Sequence, residues 1–172
     1  MVKKKNKLVV EPFDDIKVIG INTGMIDYQL AWNLNKILKI ELAKYRSVSF
    51  NGDGFFSYYL YDAGENSNTY NLVSLVSSEG KEWVSFKPKT DYLFIIRNYI
   101  KESDLQQILV DIKGIANVFH AYVIDTSCNN KVDIVLEDIE YHEIELANEE
   151  SKKNSGILKR WDSGVLSVEM SH

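Results

Sequence analysis

The sequence predicts an α+β fold in which two helices pack on one face of a mostly antiparallel sheet. The run Asp91–Arg97 is apolar almost without interruption, which is typical of a strand buried on both faces. Stretches before it alternate in polarity between hairpin-type turns, and two other segments have helical periodicity. The order strand, helix, several strands, helix, strand favours one helical layer on one sheet, followed by a C-terminal extension.

Length and charge narrow the class of protein. The 172 residues are enough for one domain with a buried core, and 45% of them are apolar. The net charge of -5 disfavours broad nucleic-acid binding, which needs a basic surface. No segment has the roughly 20 apolar residues that cross a bilayer, and the apolar run after the N-terminal lysines is too short for a signal peptide. We therefore expect a cytoplasmic protein that does not associate with membranes.

The first strand and the first helix are predicted between residues 16 and 38. Ile16–Ile21 is strand-like and ends at the turn-prone sequence Asn22-Thr23-Gly24. Asp27 is a suitable N-cap for a helix in which apolar residues share one face, namely Leu30, Leu34 and Ile37.

Tyr28 and Trp32 lie toward the edge of this apolar face, so the apolar arc is wider than one sheet contact requires. Either another part of the chain covers Trp32, or this edge of the helix is a contact surface. Covering by the same chain is the favoured interpretation, because large exposed apolar patches are uncommon in monomeric proteins.

Two hairpins in series are predicted before the central strand. Asn51-Gly52-Asp53-Gly54 joins the strand 47–50 to the strand 55–61, and the strand 70–76 follows a glycine-containing loop. In the middle strand Tyr59 and Tyr61 share one face, while Tyr58 lies on the other.

A second helix and a last strand follow the central strand. Ser103 with Gln106 fits a capping box, and Gly114 stands where a helix ends. Between them, apolar residues recur at helical spacing: Leu105, Ile108, Leu109 and Ile112. The stretch Val118–Asp125 is then a strand.

Three regions are expected along the chain: a flexible basic N-terminus at 1–12, an α+β domain at 13–125, and an acidic, partly disordered extension at 126–172. Glu137–Glu150 carries seven acidic residues and no lysine or arginine. Lys131–Leu136 is compatible with one more strand. Lys159-Arg160-Trp161 and the apolar residues after it can dock on the domain or on a partner.

No catalytic constellation is evident, and we predict no catalytic residue, no cofactor and no metal site. His120 is interpreted as a half-buried sheet histidine, and Cys128 is a lone cysteine without a flanking motif. His142 and Asp138 would lie one helical turn apart, but one histidine among carboxylates is weak evidence for a metal site. The segment from Gly20 to Gly24 lacks the lysine and third glycine of phosphate-binding loops.

From about residue 13 to residue 125 the chain resembles a bacterial family known by its signature, IPExxxVDY. The segment 84–92 falls at the signature: Asp91 and Tyr92 match, Val84 replaces isoleucine, and Ser85, Phe86 and Thr90 replace proline, glutamate and valine. Asp27–Asn35, with Trp32, also has the family's character. The family has no assigned reaction, ligand or catalytic residue, so the resemblance implies no activity. The missing signature glutamate favours a structural role for the motif.

Three hypotheses for the function follow. The first is a non-enzymatic cytoplasmic module that binds an unidentified protein partner or forms a homo-oligomer. Its contact surface would include Tyr28, Trp32, Tyr59, Tyr61, Lys159, Arg160 and Trp161. The second is RNA binding by the tyrosine-bearing sheet, helped by the N-terminal lysines. The third is an enzyme with an unrecognised site, which would need a pocket that gathers His120 with carboxylates. Without a catalytic constellation, the first hypothesis is favoured.

Overall fold

A computed structural model describes residues 15–49, 54–127 and 129–166, with side chains as far as residue 155. The protein has an α+β fold, and its elements in chain order are β1 (Lys17–Thr23), α1 (Asp27–Leu38), β2 (Ala43–Ser49), β3 (Phe55–Asp62), β4 (Thr69–Ser74), β5 (Tyr92–Arg97), α2 (Glu102–Lys113), β6 (Val118–Ile124) and α3 (Asn130–Leu166). The chain divides into two compact units, Met1–Asp133 and Ile134–His172. The predicted basic N-terminus, 1–12, lies outside the described residues.

The six strands form one antiparallel sheet in the order β2-β3-β4-β5-β1-β6. The two predicted hairpins are confirmed by the pairing of β2 with β3 and of β3 with β4, although residues 50–53 of the first turn lie outside the described part. The predicted central strand is also confirmed, because β5 lies between β4 and β1 with its middle residues fully buried on both faces.

Helices α1 and α2 pack on the same face of the sheet, as predicted. Leu30 and Leu34 of α1 and Leu105 and Leu109 of α2 belong to one buried cluster. The sheet contributes every second residue of its inner strands to that cluster: Ile19, Ile21, Tyr59, Leu72, Tyr92, Phe94 and Ile96. Successive side chains of a strand point to opposite faces of the sheet, so every second residue lies on the same face. The third helix, α3, is an addition to the predicted architecture.

The opposite face of the sheet is apolar as well. Phe56 and Tyr58 of β3 are buried there, and the ring of Phe56 lies 4.9 Å from the ring of Trp83. The connection between β4 and β5 therefore packs against this face in the neighbourhood of β3. Lys131, at the start of α3, donates a hydrogen bond of 2.5 Å to the backbone oxygen of Ser85 in the same connection.

Local predictions about helix ends and the C-terminal segment need correction. The N-cap of α1 is Ile26 and Asp27 is its first helical residue; α2 begins at Glu102, so Ser103 is not a cap. The segment 131–136, whose sequence is also compatible with a strand, is part of α3. Its apolar residues alternate, but Val132, Val135, Leu136 and Ile139 also follow helical spacing, and that longer pattern decides the conformation.

Asp91 fixes the junction of β1 and β5. Its Oδ2 accepts hydrogen bonds from Nδ2 of Asn22 at 2.6 Å and from the backbone N–H of Thr23 at 3.0 Å. Its own N–H donates to the backbone oxygen of Ile21, and its backbone oxygen accepts from Leu75. These contacts make Asp91 a connector of three segments that are remote in sequence.

Gly20 leaves room for a side chain of the neighbouring strand β6. A Cβ atom placed on Gly20 would lie 2.9 Å from a ring carbon of Tyr122. Because glycine leaves that space open, the Tyr122 ring lies across β1, and its hydroxyl oxygen comes within 2.9 Å of the hydroxyl oxygen of Thr90. Strand β6 is thereby joined to the β4–β5 connection through one side chain.

Candidate functional site

The outer edge of α1 exposes large aromatic side chains. Tyr28 is 61% exposed and Trp32 is 60% exposed, and Ile26, immediately before the helix, is 50% exposed. The favoured expectation that the chain covers Trp32 is therefore wrong. Because Tyr28, Trp32 and Lys36 follow one another at four-residue intervals, they form a stripe along one side of the helix. The Nζ atom of Lys36 lies 5.1 Å from the centre of the Trp32 ring, within the range of a cation–π contact.

The first residue of α1 anchors this helix to two strands. The Oδ2 atom of Asp27 accepts hydrogen bonds from Oγ of Ser57 at 2.7 Å, from Nζ of Lys44 at 3.0 Å and from the hydroxyl of Tyr59 at 3.2 Å. Its Oδ1 accepts the N–H of Tyr28 at 2.8 Å. The carboxylate also lies at the N-terminus of the helix, where the helix dipole stabilises negative charge. Asp27 thus ties α1 to β2 and β3.

Burial and hydrogen bonding act in opposite directions on the Asp27 carboxyl. Burial alone would raise its pKa, but the hydrogen bonds from Ser57, Lys44 and the N–H of Tyr28, together with the positive charge of Lys44, outweigh this effect, and the pKa is lowered from 3.8. The same negative charge acts on nearby phenols. Burial, followed by the charges of Asp27 and Asp91, raises the pKa of Tyr92 to about 12. At neutral pH Asp27 is therefore an ionised carboxylate that accepts hydrogen bonds from the neutral hydroxyl groups of Ser57 and Tyr59. We call Asp27 and its side-chain donors the Asp27 cluster.

The second half of α1 is fixed by Asn35. Its Nδ2 donates to the backbone oxygen of Leu42 at 3.1 Å, and its Oδ1 accepts the N–H of the same residue at 2.7 Å. Together, Asp27 and Asn35 hold the two halves of the helix against the start of β2 and the middle of β3. The exposed stripe of Tyr28 and Trp32 is consequently presented on a supported helix rather than on a loop.

The other predicted surface residues are placed differently. Tyr59 is only 5% exposed and belongs to the core beneath the helices. Tyr61 is partly buried, and its ring stacks on Tyr70 at 6.2 Å. The side chains of Lys159, Arg160 and Trp161 lie outside the described part of the chain. Of the residues predicted from sequence, Tyr28 and Trp32 are therefore the ones that the structure brings together in the open.

The candidates for chemistry do not converge. His120 is exposed rather than half-buried, and its ring stacks on Tyr122 at 5.3 Å. Cys128 and His172 lie outside the described residues. Across the described side chains, no group of three or more histidine, cysteine, aspartate or glutamate residues is arranged to hold a metal ion. In the same part of the chain, no helix has both the length and the apolar character that a membrane span requires.

A pocket of about 370 Å³ lies beside the start of α2. It is lined by Asp15, Lys17, Tyr99, Ile100 and Glu102. His120 is not among its described lining residues, and the lining offers no nucleophile beside a base. Tyr99 is itself largely exposed, so the pocket is a shallow surface feature.

Sequence reasoning missed the Asp27 cluster and the exposure of Phe119. The side-chain donors to Asp27 lie 17, 30 and 32 residues away along the sequence, and no local sequence pattern indicates contacts of this kind. Phe119 is 69% exposed at the start of β6. A strand in which both faces carry apolar residues gives no signal of which side chain stays in solvent.

No family model matches the chain, and neither a curated protein nor a solved structure matches it. The resemblance to the IPExxxVDY family therefore stays a prediction.

Proposed function

We propose that the protein is a non-enzymatic protein-interaction module of the cytoplasm, and that it contacts its partner through the stripe of Tyr28 and Trp32 on α1. The observation that carries the proposal is the exposure of two large aromatic side chains, one turn apart, on a helix held to the sheet by Asp27 and Asn35.

The chemistry of the stripe supports a protein contact. Tryptophan and tyrosine each bury about 150–250 Å² on binding and are enriched among the residues that dominate interface energies. Because α1 is already anchored, little backbone entropy is lost when a partner docks. The stripe is thus suited to act as the centre of an interface.

The surroundings of Trp32 indicate the character of the partner. Lys36 lies over the ring, and Lys44 is more than half exposed beside Asp27. A matching surface would offer an apolar pocket for the indole and carboxylates at the rim for the ammonium groups. We therefore infer a partner protein with an acidic rim around an apolar groove.

RNA binding through the tyrosine-bearing sheet is less well supported. Tyr59 is buried beneath α1 and α2, and Tyr61 stacks on Tyr70 within the domain. A base can stack only on a ring face that is free. An enzymatic function is likewise less well supported, since His120 is not among the described residues that line the pocket beside α2.

Affinity capture from cells tests the proposal. We expect proteins retained by the wild type to be lost when Tyr28 and Trp32 are both replaced by alanine, because the centre of the interface is then removed. Val110→Ala on α2 is the matched control, because Val110 is also 60% exposed on a helix of the same layer.

Identical sets of captured proteins from the wild type and the Tyr28→Ala/Trp32→Ala variant would contradict the proposal. A further variant with Lys159, Arg160 and Trp161 changed to alanine tests whether the C-terminal segment takes part. Loss of the same proteins in that variant would extend the contact surface to the segment.

A further inference from the structure

Helix α3 carries apolar residues on two opposite sides, and one of these sides is exposed. Ile134, Tyr141 and Ile144 are between 43% and 64% exposed. They recur at intervals of seven and three residues, which is the heptad spacing of a helix that packs against another helix. The other side of the helix holds the buried residues Val132, Val135, Leu136, Ile139 and Leu146. We call the exposed side the α3 seam.

The heptad spacing of the α3 seam extends into the second half of the helix. The later positions of the seam are Asn148, Ser151, Ser155, Leu158, Asp162 and Val165. Every residue from 147 to 155 is exposed, so this stretch has an open surface on all sides. A polar helix of this kind has little stability of its own, because most helical stability in proteins comes from packing. A second helix along the seam would supply that packing.

The charges of α3 are divided between its two halves. Glu137–Glu150 holds seven acidic residues, and the four basic residues Lys152, Lys153, Lys159 and Arg160 follow. Beside the seam the same division recurs every seven residues, with Asp138 and Glu145 in the first half and Lys152 and Lys159 in the second. Two such helices that run in opposite directions place acidic residues along basic ones. The charge pattern of α3 is therefore complementary to a second copy of itself.

We propose that α3 pairs with α3 of a second copy of this chain, in antiparallel orientation, and that the two form a symmetric dimer. With the two-fold axis between Glu149 and Glu150, Tyr141 stands opposite Leu158 of the partner subunit. Asn148 then stands opposite Ser151 of the partner subunit, so a polar residue meets a polar one beside the axis. A polar residue inside such a seam fixes the register at some cost in affinity.

The remaining layers of the seam follow from the same register. Ile134 stands opposite Val165 of the partner subunit, and Ile144 stands opposite Ser155 of the partner subunit. The layer of Glu137 with Asp162 of the partner subunit brings two carboxylates together near each end, which lowers the affinity. The contact spans 32 residues of each helix, or about 48 Å at 1.5 Å per residue.

Residues that flank the seam determine the direction of the pairing. In the antiparallel register Glu145 faces Lys152 of the partner subunit, and this pair occurs twice by symmetry. The Tyr141 hydroxyl donates a hydrogen bond to the carboxylate of Glu145, which keeps that carboxylate beside the seam. A parallel pair would instead bring Glu140 against Glu145 of the partner subunit, and like charges at these flanking positions are unfavourable. The antiparallel direction is therefore favoured.

The symmetry of this contact limits the assembly to two chains. Both copies use the same face, so the association closes at a dimer. The α3 seam shares no residue with the stripe of Tyr28 and Trp32, and the dimer therefore does not depend on the function proposed for that stripe.

Sedimentation velocity of the full chain over a series of concentrations tests the dimer. We expect the wild type to dimerise and Lys152→Glu to raise the dissociation constant at least about fivefold, because two symmetric attractive contacts become repulsive. Lys153→Glu is the matched control, since it makes the same change of charge at the next exposed residue, on the side of the helix away from the seam. It should leave the dissociation constant unchanged.

A mixing experiment tests the register. Chains with Glu145→Lys and chains with Lys152→Glu should each dimerise poorly alone, and equal amounts together should recover the dimer, because both flanking pairs again join opposite charges. Circular dichroism verifies that each variant is folded. Glu145→Lys, with Glu150→Lys as its control, takes the place of the first comparison if Lys152→Glu does not fold.

Four results would overturn the proposed dimer. They are a monomeric wild type, a folded Lys152→Glu variant that dimerises as well as the wild type, equal weakening by Lys153→Glu, and folded variants that do not recover the dimer on mixing.

Discussion

Helices α1 and α2 have the same length of 12 residues and pack on the same face of the sheet, yet their outer surfaces are different. On α2, Gln106 donates to Glu102 at 2.8 Å and Gln107 donates to Asp111 at 2.9 Å. These are contacts between residues four positions apart, which stabilise a solvated helix surface. On α1 the corresponding surface carries Tyr28 and Trp32.

The fold alone does not require the aromatic residues of α1. An amphipathic helix needs one apolar stripe toward the core, and α2 shows that a polar outer surface is compatible with this sheet. Val110 on α2 is a single exposed apolar residue, which is ordinary on protein surfaces. The difference between the helices therefore supports a contact function for α1, and it can be tested by treating the two helices in parallel.

The largest expected effect concerns the buried faces, where the helices should behave alike. Leu34→Ala in α1 and Leu105→Ala in α2 should each lower the free energy of unfolding by about 2–5 kcal/mol, because both side chains are essentially inaccessible. Urea unfolding monitored by circular dichroism measures the losses. A loss below about 1 kcal/mol for one helix alone would show that it is not part of the common core.

An intermediate effect on stability concerns the hydrogen-bonded carboxylates in the first turn of each helix, Asp27 in α1 and Glu102 in α2, whose loss should have different costs. Asp27→Asn should cost about 1–2 kcal/mol at neutral pH, because three donors lose a carboxylate acceptor. Part of this contact is exposed, which reduces its contribution. Glu102→Gln, at an exposed contact on α2, should cost less than about 0.5 kcal/mol.

The pH dependence of the Asp27→Asn effect follows from the lowered pKa. A carboxyl whose pKa is lower when folded stabilises the protein above its unfolded pKa, near 3.8, and loses that contribution as the pH falls through the folded value. The difference between wild type and variant should be constant from about pH 5 to 7 and should shrink below about pH 4. A difference that grows on acidification would contradict the direction of the shift.

The smallest expected effect on stability concerns the exposed side chains. Trp32→Ala and Val110→Ala should each change the free energy of unfolding by less than about 1 kcal/mol, with the contact of Lys36 accounting for most of the tryptophan value. Thermal melts of both variants measure this. A Trp32→Ala loss comparable with that of Leu34→Ala would mean that the indole belongs to the core, and the contrast between the helices would disappear.

Elements with a continuous or periodic local pattern could be predicted from the sequence. The apolar run of β5 and the helical spacing in α2 are local signals, and both elements form where expected. The sequence of Lys131–Leu136 left the conformation of that segment open, because alternation and helical spacing coexist in a short apolar stretch. When the stretch is extended to Ile139, the apolar residues continue at helical spacing, and this longer pattern distinguishes a helix from a strand.

The site was harder to predict because it depends on which surfaces the sheet covers. Tyr58 and Tyr59 point to opposite faces, and both are buried, so alternation revealed the two faces without showing that neither is open. Tyr28 and Trp32 gave a clearer signal, an apolar arc wider than the core contact needs. The sequence around Asp27 gave no signal of its role, since its partners lie on strands that come close to it only in the folded protein.

The Tyr122 side chain has a consequence for how copies of this chain can associate. An edge strand can join a second molecule by adding to its sheet or by leaving its own sheet and being exchanged between molecules. The Tyr122 ring lies over Gly20, and its hydroxyl is within hydrogen-bonding distance of Thr90. Exchange of β6 would first have to break that contact and uncover the glycine. The anchored ring therefore opposes the exchange of β6 between two molecules.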